Sequence, residues 1–432
     1  MTEEQIASLG PALTDYLCGF RKCFPRLPTF KHLGAYCRGL LSDLARKSVE
    51  PIALAAGTAV RTLQEFLTFH AWDHGRMRDD IQRRIVRDHL PAPGAAPEGG
   101  VGTVGWVDET SVAKKGEKTP GVQRQHCGAS GKIDNCIVTV HLAVSTGPFM
   151  TMLDSELFLP EQTWDQDRDR CKEAHIPDSV VYRPKSDIAL EQIKRAVANG
   201  VRFDWLTFDE WYGSKPAFLA ELETMGQLYV CEVPKHLPCF PSLPKYRSLQ
   251  KPFQSKRVDS AVIRGKPFLG KKWRKIILQR KTLAPQVWEV KAEQVYLARD
   301  GGEGKASPRP TQRTYWLIVA RNVETGEIKY FVSNAPPKTA LTTLMKVAFT
   351  RAGVEHVFRI AKTEIGFGHF EGRSYRGLIR HMTLCQLVML FVAEQTTRFR
   401  GEKSGGDDGA DSAGHEPALP TLDGGPVQTV PH

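Results

Sequence analysis

The sequence has no apolar run long enough to cross a bilayer. Its longest lies around Leu387–Ala393, well short of the roughly 20 residues a spanning helix needs. The first residues, MTEEQIASLG, lack a basic segment followed by an apolar one, so no secretory signal is expected. Its nine cysteines show no disulfide-like or zinc-like spacing. Cys18 and Cys23 come closest, and no second pair completes four ligands. They read as reduced, mostly buried thiols of a cytoplasmic protein. No phosphate-binding G-x4-G-K-[ST] loop occurs, so ATP use is not implied. Gly100, Gly102 and Gly105 spell G-x-G-x-x-G, but they precede a strand instead of following one, which is the wrong context for a dinucleotide site. His126 with Cys127, and His381, are isolated and read as core or surface residues. No internal repeat is present.

What is there is positive charge. Lys and Arg number 59 against 48 Asp and Glu, a formal net charge of +11. That balance suits a polyanionic partner, nucleic acid being the commonest, although a merely soluble basic protein fits it too. With 432 residues and 41% hydrophobic content, two or three structural units with ordinary cores are expected.

Residues 1–90 read as helical, with apolar positions at Leu40, Leu44, Leu63, Phe66 and Leu67 and no strand-like alternation. The Pro- and Gly-rich Leu90–Gly100 marks a boundary. Residues 101–234 read as α/β. TVGWVDET is a strand ending near Asp108, NCIVTVHLAV and FMTMLDSELFL are two more, and Ser186 is an N-cap ahead of an amphipathic helix. FDWLTFD ends at Asp209, Ser214 and Pro216 start another helix, and QLYVCEV follows as a strand. Residues 235–338 read as a β-rich, basic insertion, 339–400 as helices, and 401–432 as a polar, disordered tail. Within the insertion, Lys251–Lys281 carries eleven Lys or Arg and one acid, Asp259.

Asp108 and Asp209 close strands, where ligands of α/β sheets bind, and carboxylates there suit hard divalent cations. Taken singly, each is equally well a turn residue. A helix over roughly Arg351–Ile365 would put Arg351, Glu355 and Lys362 at about 0°, 40° and 20°, one stripe with Glu355 facing outward between two cations. An ordinary salt-bridged helix face has the same pattern.

The spacing Arg351-x3-Glu355-x6-Lys362 resembles the end of the Tyr-x2-Arg-x3-Glu-x6-Lys signature of insertion-sequence DDE transposases. Ala348, with Phe349 beside it, stands in the tyrosine's place. WVDETSVAKKG, GVQRQHCGASGKIDNCIVTVHLAV, FLPEQTWDQDRDRC, ALEQIKRAVANGV, FDEWYGSKPAFLAEL and FEGRSYRGLIRHMTL are similar, in order, to segments of the insertion-sequence family numbered seven hundred and one. The resemblance runs from about Phe20 to Arg398. It implies an RNase H-like catalytic domain with a β-rich insertion, preceded by an all-α N-terminal domain. It also implies a catalytic, metal-binding triad of Asp108, Asp209 and Glu355, with Glu109 and Glu210 pointing elsewhere by strand alternation; Glu364 and Glu371 are weaker rivals for the third place. Two Mg²⁺ (or Mn²⁺) ions about 3.5–4 Å apart would support in-line phosphodiester transfer. Arg351 and Lys362 would contact DNA phosphates. The expected activity is cleavage of insertion-sequence ends and their joining to target DNA by a homodimer or larger assembly. A cytoplasmic, nucleoid-associated location follows from that. A nuclease without strand transfer, and a transposase-derived DNA-binding protein without catalysis, are the alternatives.

For holding DNA, Glu50–Leu67 has helix-turn-helix features: small residues before Gly57 at the turn, Thr58 as a possible cap, and Arg61 and Gln64 on the second helix. A plain helical hairpin fits equally. Lys271, Lys272, Arg274 and Lys275 are candidates for sequence-independent phosphate contacts. Either Trp273 or Trp288 is a candidate to stack on an unpaired base.

Overall fold

The computed structural model describes residues 2–92, 100–244, 254–278, 285–299 and 308–404. The first stretch is helical, as its periodicity requires. α1 (Glu3–Cys18) opens on a reciprocal cap in which Thr2 and Gln5 each accept from the other's backbone N–H. α2 (Leu27–Leu41) carries Pro28 in its first turn. α3 (Val49–Ala55) and α4 (Val60–Thr68) form a hairpin whose turn uses Gly57 at φ +61°, a conformation glycine adopts without strain. Ala59 precedes α4 without a side-chain cap, so Thr58 does not cap it. α5 (His74–His89) is capped by Asp73, which accepts from Arg76 N at 2.9 Å.

β1 (Thr103–Ala113) does not stop near Asp108; it runs on for five more residues. β2 (Gln123–Cys127), β3 (Lys132–Thr146) and β4 (Phe149–Leu157) follow. β2 is a polar strand that apolar alternation does not reveal. α6 (Arg168–Glu173) comes next, then α7 (Lys185–Ala198), which starts after Pro184 and not at Ser186, because the fixed φ of proline already presets the helical entry. β5 (Trp205–Phe208), α8 (Glu210–Gly213), α9 (Pro216–Thr224) and β6 (Val230–Glu232) complete the α/β stretch. The following block contains β7 (Pro238–Phe240), β8 (Lys256–Arg257), α10 (Val258–Arg264), β9 (Arg274–Leu278), β10 (Gln286–Arg299), β11 (Arg309–Pro310), β12 (Tyr315–Asn322) and β13 (Ile328–Ser333). α11 (Leu341–Thr350), α12 (Ala352–Arg359) and α13 (Tyr375–Ser404) end the described chain. Residues 93–99 of the expected linker, and the expected tail beyond Ser404, lie outside the described residues.

The chain forms two compact units, one of Met1–Ala92, Asp108–Arg202 and Gly353–His432, the other of Pro93–Val107 and Phe203–Ala352. In the first, α13 is the central helix. Leu378, Met382, Leu384, Leu387, Val388 and Leu390 are all at most 1% exposed. Tyr375–Gly401 is, by length and composition, apolar enough to cross a membrane, which the short run at Leu387–Ala393 does not suggest. The protein itself buries 83% of its most apolar window, as expected of a helix hydrophobic all round in a globular core. Arg84 of α5 forks onto Glu394 of α13 at 2.7 and 2.9 Å, and Tyr16 of α1 donates to Leu387 O at 2.7 Å. The sheet of this unit pairs β2 and β4 with β3 in antiparallel fashion. α7 packs on it, with Gln192 donating to Val140 O at 2.9 Å.

In the second unit the start of β1 pairs in parallel with β5, from Val104↔Trp205 to Val107↔Phe208, and Leu206 bridges to Tyr229. A Cβ on Gly102 would lie 2.1 Å from Asp204 Oδ2, and one on Gly105 2.5 Å from a Leu206 methyl. These glycines therefore serve strand packing, not a nucleotide. Among the described residues a second, eight-stranded sheet runs β6-β13-β12-β10-β7-β8, with β9 and β11 also on β10. Trp288 on β10 is 1% exposed and packs at 4.7 Å from Phe349. It is a core residue and not a platform for a base.

Two stability predictions follow for the first unit. Glu394→Ala strands the half-buried Arg84 and should cost about 3 kcal/mol in urea unfolding; a loss below about 0.5 kcal/mol would mean the fork is solvent-screened. Burial pushes His141 down to about 3, with Lys362 adding to it. Burial likewise pushes His74 and His381 down to about 4, helped by Arg380 and Lys114 respectively. The folded state thus binds fewer protons than the unfolded one between pH 6.5 and 4, so stability should fall with acidification through that window. His381→Asn should flatten the slope, and an unchanged slope would exclude His381 as a contributor.

Candidate functional site

Val107 and Phe208 are the last registered pair of the parallel β1–β5 ladder, and an aspartate follows each of them. Asp108 is half-buried in the middle of β1, and its Oδ1 accepts from Glu109 N at 2.8 Å. Glu109, on the opposite strand face, pairs with Lys185 at 2.8 Å. Asp209 ends its strand and caps α8, its Oδ1 accepting from Trp211 N at 3.0 Å and Tyr212 N at 3.2 Å. The turn-residue role is therefore real for one oxygen of Asp209. Glu210 is exposed.

The helix expected over Arg351–Ile365 is not continuous. Arg351 lies at the end of α11, in the second unit, and α12, which starts at Ala352, belongs to the first from Gly353 on. α12 is α-helical only to Arg359. Ile360–Glu364 is a π turn, with Ile365 N donating to Ile360 O at 3.1 Å. The wider turn advances less than 100° per residue, so the single stripe calculated for an ideal helix does not exist. Glu355 is exposed on α12, as expected, while Val354, Val357 and Phe358 are buried. Ala348 is 6% exposed in the core, and Phe349 packs on Trp288 and Phe331, so neither presents a hydroxyl in the tyrosine's place.

Lys362 and Asp108, both of the first unit, are within electrostatic reach of each other. Burial pushes the half-buried Lys362 ammonium down, and the Cys127 thiol and the Asp108 carboxylate pull it back up. Two neighbours of this group were not legible as site residues. Burial raises the Cys127 thiol, but hydrogen bonds from Ser111 and Ser130 outweigh it and hold the thiol below its ordinary value. His141 is fully buried, at 2.7 Å from Thr139 Oγ1 and edge-on to Phe358 (5.0 Å) and Phe367 (5.3 Å). It fixes the position of α12 and of the turn after it. A histidine inside the apolar run TVHLAV is the one signal that pointed to it.

Other candidates are dispersed. Arg61 is exposed on α4 and engages Glu65 at 2.8 Å. Lys271 pairs with Glu293, and Lys272, Arg274 and Lys275 are exposed at β9. Trp273 is half-buried, with Lys291 and Arg321 each 4.8 Å from its ring centroid. Lys251, Phe253, Arg280 and Lys281 lie outside the described residues. Glu371 is paired with Arg46.

Three carboxylates are an all-oxygen donor set suited to Mg²⁺ or Mn²⁺. Among the described residues, however, no three of His, Cys, Asp and Glu are grouped closely enough to hold a metal ion. Asp108 and Glu355 belong to the first unit and Asp209 to the second.

Residues 19–288 match a family model described as DDE superfamily endonuclease. The chain is also similar to the "Probable transposase for insertion sequence element IS701" of Microchaete diplosiphon, 29% identical over 222 residues. That match spans 51% of this chain and 53% of that protein, about half the length of each.

The cap geometry separates two roles of Asp209. Asp209→Asn retains an acceptor for the α8 amides and should melt with the wild type, whereas Asp209→Ala should cost about 1 kcal/mol. Equal destabilisation by both, measured by urea unfolding, would mean that charge and not capping holds the turn.

Proposed function

Because the chain belongs to the DDE superfamily of endonucleases, we propose that it is a metal-dependent DNA transposase. It would cleave the ends of an insertion sequence and join them to target DNA by two-metal-ion phosphodiester transfer. Asp108, Asp209 and Glu355 are the proposed acidic residues, with Mg²⁺ or Mn²⁺ as the ion. The observation that carries the reading is the register of β1 and β5, in which the last pair, Val107↔Phe208, is followed on each strand by an aspartate. The matched region ends at residue 288, so Glu355 rests on the Arg-x3-Glu-x6-Lys spacing and on its exposure on α12.

The chain's own residues have defined tasks in this reading. Lys362, half-buried and within electrostatic reach of Asp108, would hold a phosphate oxygen, and its partial desolvation would strengthen that contact. Arg351 would supply a second phosphate contact, with planar donors suited to bidentate recognition. Lys271, Lys272, Arg274, Lys275 and Arg61 would hold DNA farther away without reading its sequence. The helical hairpin α3–α4 is the proposed reader of element ends. Pairing of two ends would need at least a dimer, acting on chromosomal DNA in the cytoplasm.

A DNA-binding protein without catalysis is the second reading. Ala348 in the tyrosine's place favours it. One assay decides between them. A plasmid carrying the DNA that flanks the coding region is incubated with and without Mg²⁺, using wild type, Asp108→Asn and Glu355→Gln. Breaks at the element ends that need the metal and fall at least 10²-fold in both variants are expected. Binding without cleavage by the wild type would establish the second reading. Cleavage that survives Glu355→Gln would remove Glu355 from the triad. A pre-cut 3′-hydroxyl end, offered as substrate, tests joining separately.

A further inference from the structure

Within the first unit, the end of α4, the following loop and the start of α5 line a cleft of about 650 Å³ with the first turns of α13. Lys22, Arg76, Arg376 and Arg380 are its cations and Asp73 is its carboxylate. Arg380 is only 4% exposed. Its guanidinium lies 4.5 Å over the Trp72 ring and donates to Phe66 O (3.3 Å), Leu67 O (3.1 Å) and Trp72 O (2.7 Å). Those carbonyls carry only partial charge, and among the described residues no carboxylate forms an ion pair with Arg380. Its Nε is buried with no hydrogen-bond partner, as is Nδ1 of His70 in the same lining.

The surrounding field is positive. Burial, then Arg380 and Arg78, and also Arg376, hold His74 down at about 4, against the opposing pull of Asp73. Burial and Arg376 likewise lower Arg380 to about 10. Asp73 Oδ1 already accepts from the first turn of α5, and Arg76 also reaches Asp80 at 3.7 Å. Lys22 and Arg376 are exposed at the rim. A cleft with cations in excess and an orphaned guanidinium nitrogen in its wall calls for a compact anion with several acceptor oxygens.

We propose that this cleft binds a phosphate oxyanion, held by Arg376 and Lys22 at its rim in the positive field of the buried Arg380. Phe69, 72% exposed on the lining, offers an apolar surface to the sugar or base of a nucleotide. The site involves none of Asp108, Asp209, Glu355 or Lys362. The phosphate is either free in solution or part of a DNA backbone, and the second source rests on the function proposed above.

The test uses the full chain. Variants are Lys22→Glu/Arg376→Glu, both at exposed positions, and Lys172→Glu as a charge reversal elsewhere on the same unit. The two probes are inorganic phosphate, read as a melting shift against chloride at equal ionic strength, and a labelled random-sequence duplex titrated at several salt concentrations. The expected result is a phosphate-induced rise in Tm in the wild type and in Lys172→Glu, lost in the double variant. A roughly tenfold weaker duplex affinity with a salt slope shallower by about two should accompany it if the source is DNA. Loss of the phosphate shift with unaltered duplex binding supports the cleft with free phosphate as its ligand. If the wild type binds no duplex, the DNA reading fails while the phosphate shift still decides the cleft. No phosphate shift in the wild type, together with equal duplex effects of the double variant and Lys172→Glu, overturns the proposal.

Discussion

The buried guanidinium of Arg380 organises the first unit. The last carbonyls of a helix have no partner within it, and two of those of α4, Phe66 O and Leu67 O, accept from Arg380 of the central helix. A third bond to Trp72 O fixes the loop that leads into α5. One side chain thus caps α4, shapes a loop and anchors α13. Lys47 does the same for Leu40 O and Glu364 O, and Lys114 for Gly368 O and Phe370 O. Part of the chain's excess of cations is therefore internal scaffolding. The net charge still favours a polyanionic partner, but it overstates how many cations are available to one.

The legible parts of the fold were those written in apolar period and in glycine or proline punctuation. The helices before His89, the strand at Trp205–Phe208 and the helix after Pro216 are of this kind. The polar β2 was not legible, because its burial alternates without apolar residues to mark it. The length of β1 was hidden as well, since β1 continues past the point where its ladder with β5 stops. Trp273 stands among Lys271, Lys272, Arg274 and Lys275 and is half-buried, whereas Trp288 stands between Val287 and Glu289 and is buried.

At the candidate site, residue identity was easier to read than geometry. Asp108 and Asp209 were read as acids at strand ends, which fits Asp209 but not Asp108 within β1, and Lys362 was read from its spacing to Glu355. Lys362, within electrostatic reach of Asp108, lies in a turn that ideal helix angles do not describe. Cys127 and His141 came from no motif. Their placement depends on the curl of the β2–β3 hairpin and on what packs under α12, neither of which local sequence encodes. The same holds for the cleft at Arg376 and Arg380. Its wall is assembled from segments some three hundred residues apart in the chain, and the sequence marks it only as an Arg-rich stretch of the last helix.

The π turn at Ile360–Glu364 bears on how this gene can change. A helix that carries one surplus residue has two lengths at which its flanking segments fit, one with the bulge and one without. Loss of a single codon within it would restore a regular helix and keep the reading frame, yet it would shift Lys362 around the helix axis relative to Asp108. The six-residue interval after Glu355 is therefore a count of residues and not a repeat of turns. Its length is constrained even where the identities of the intervening residues are not.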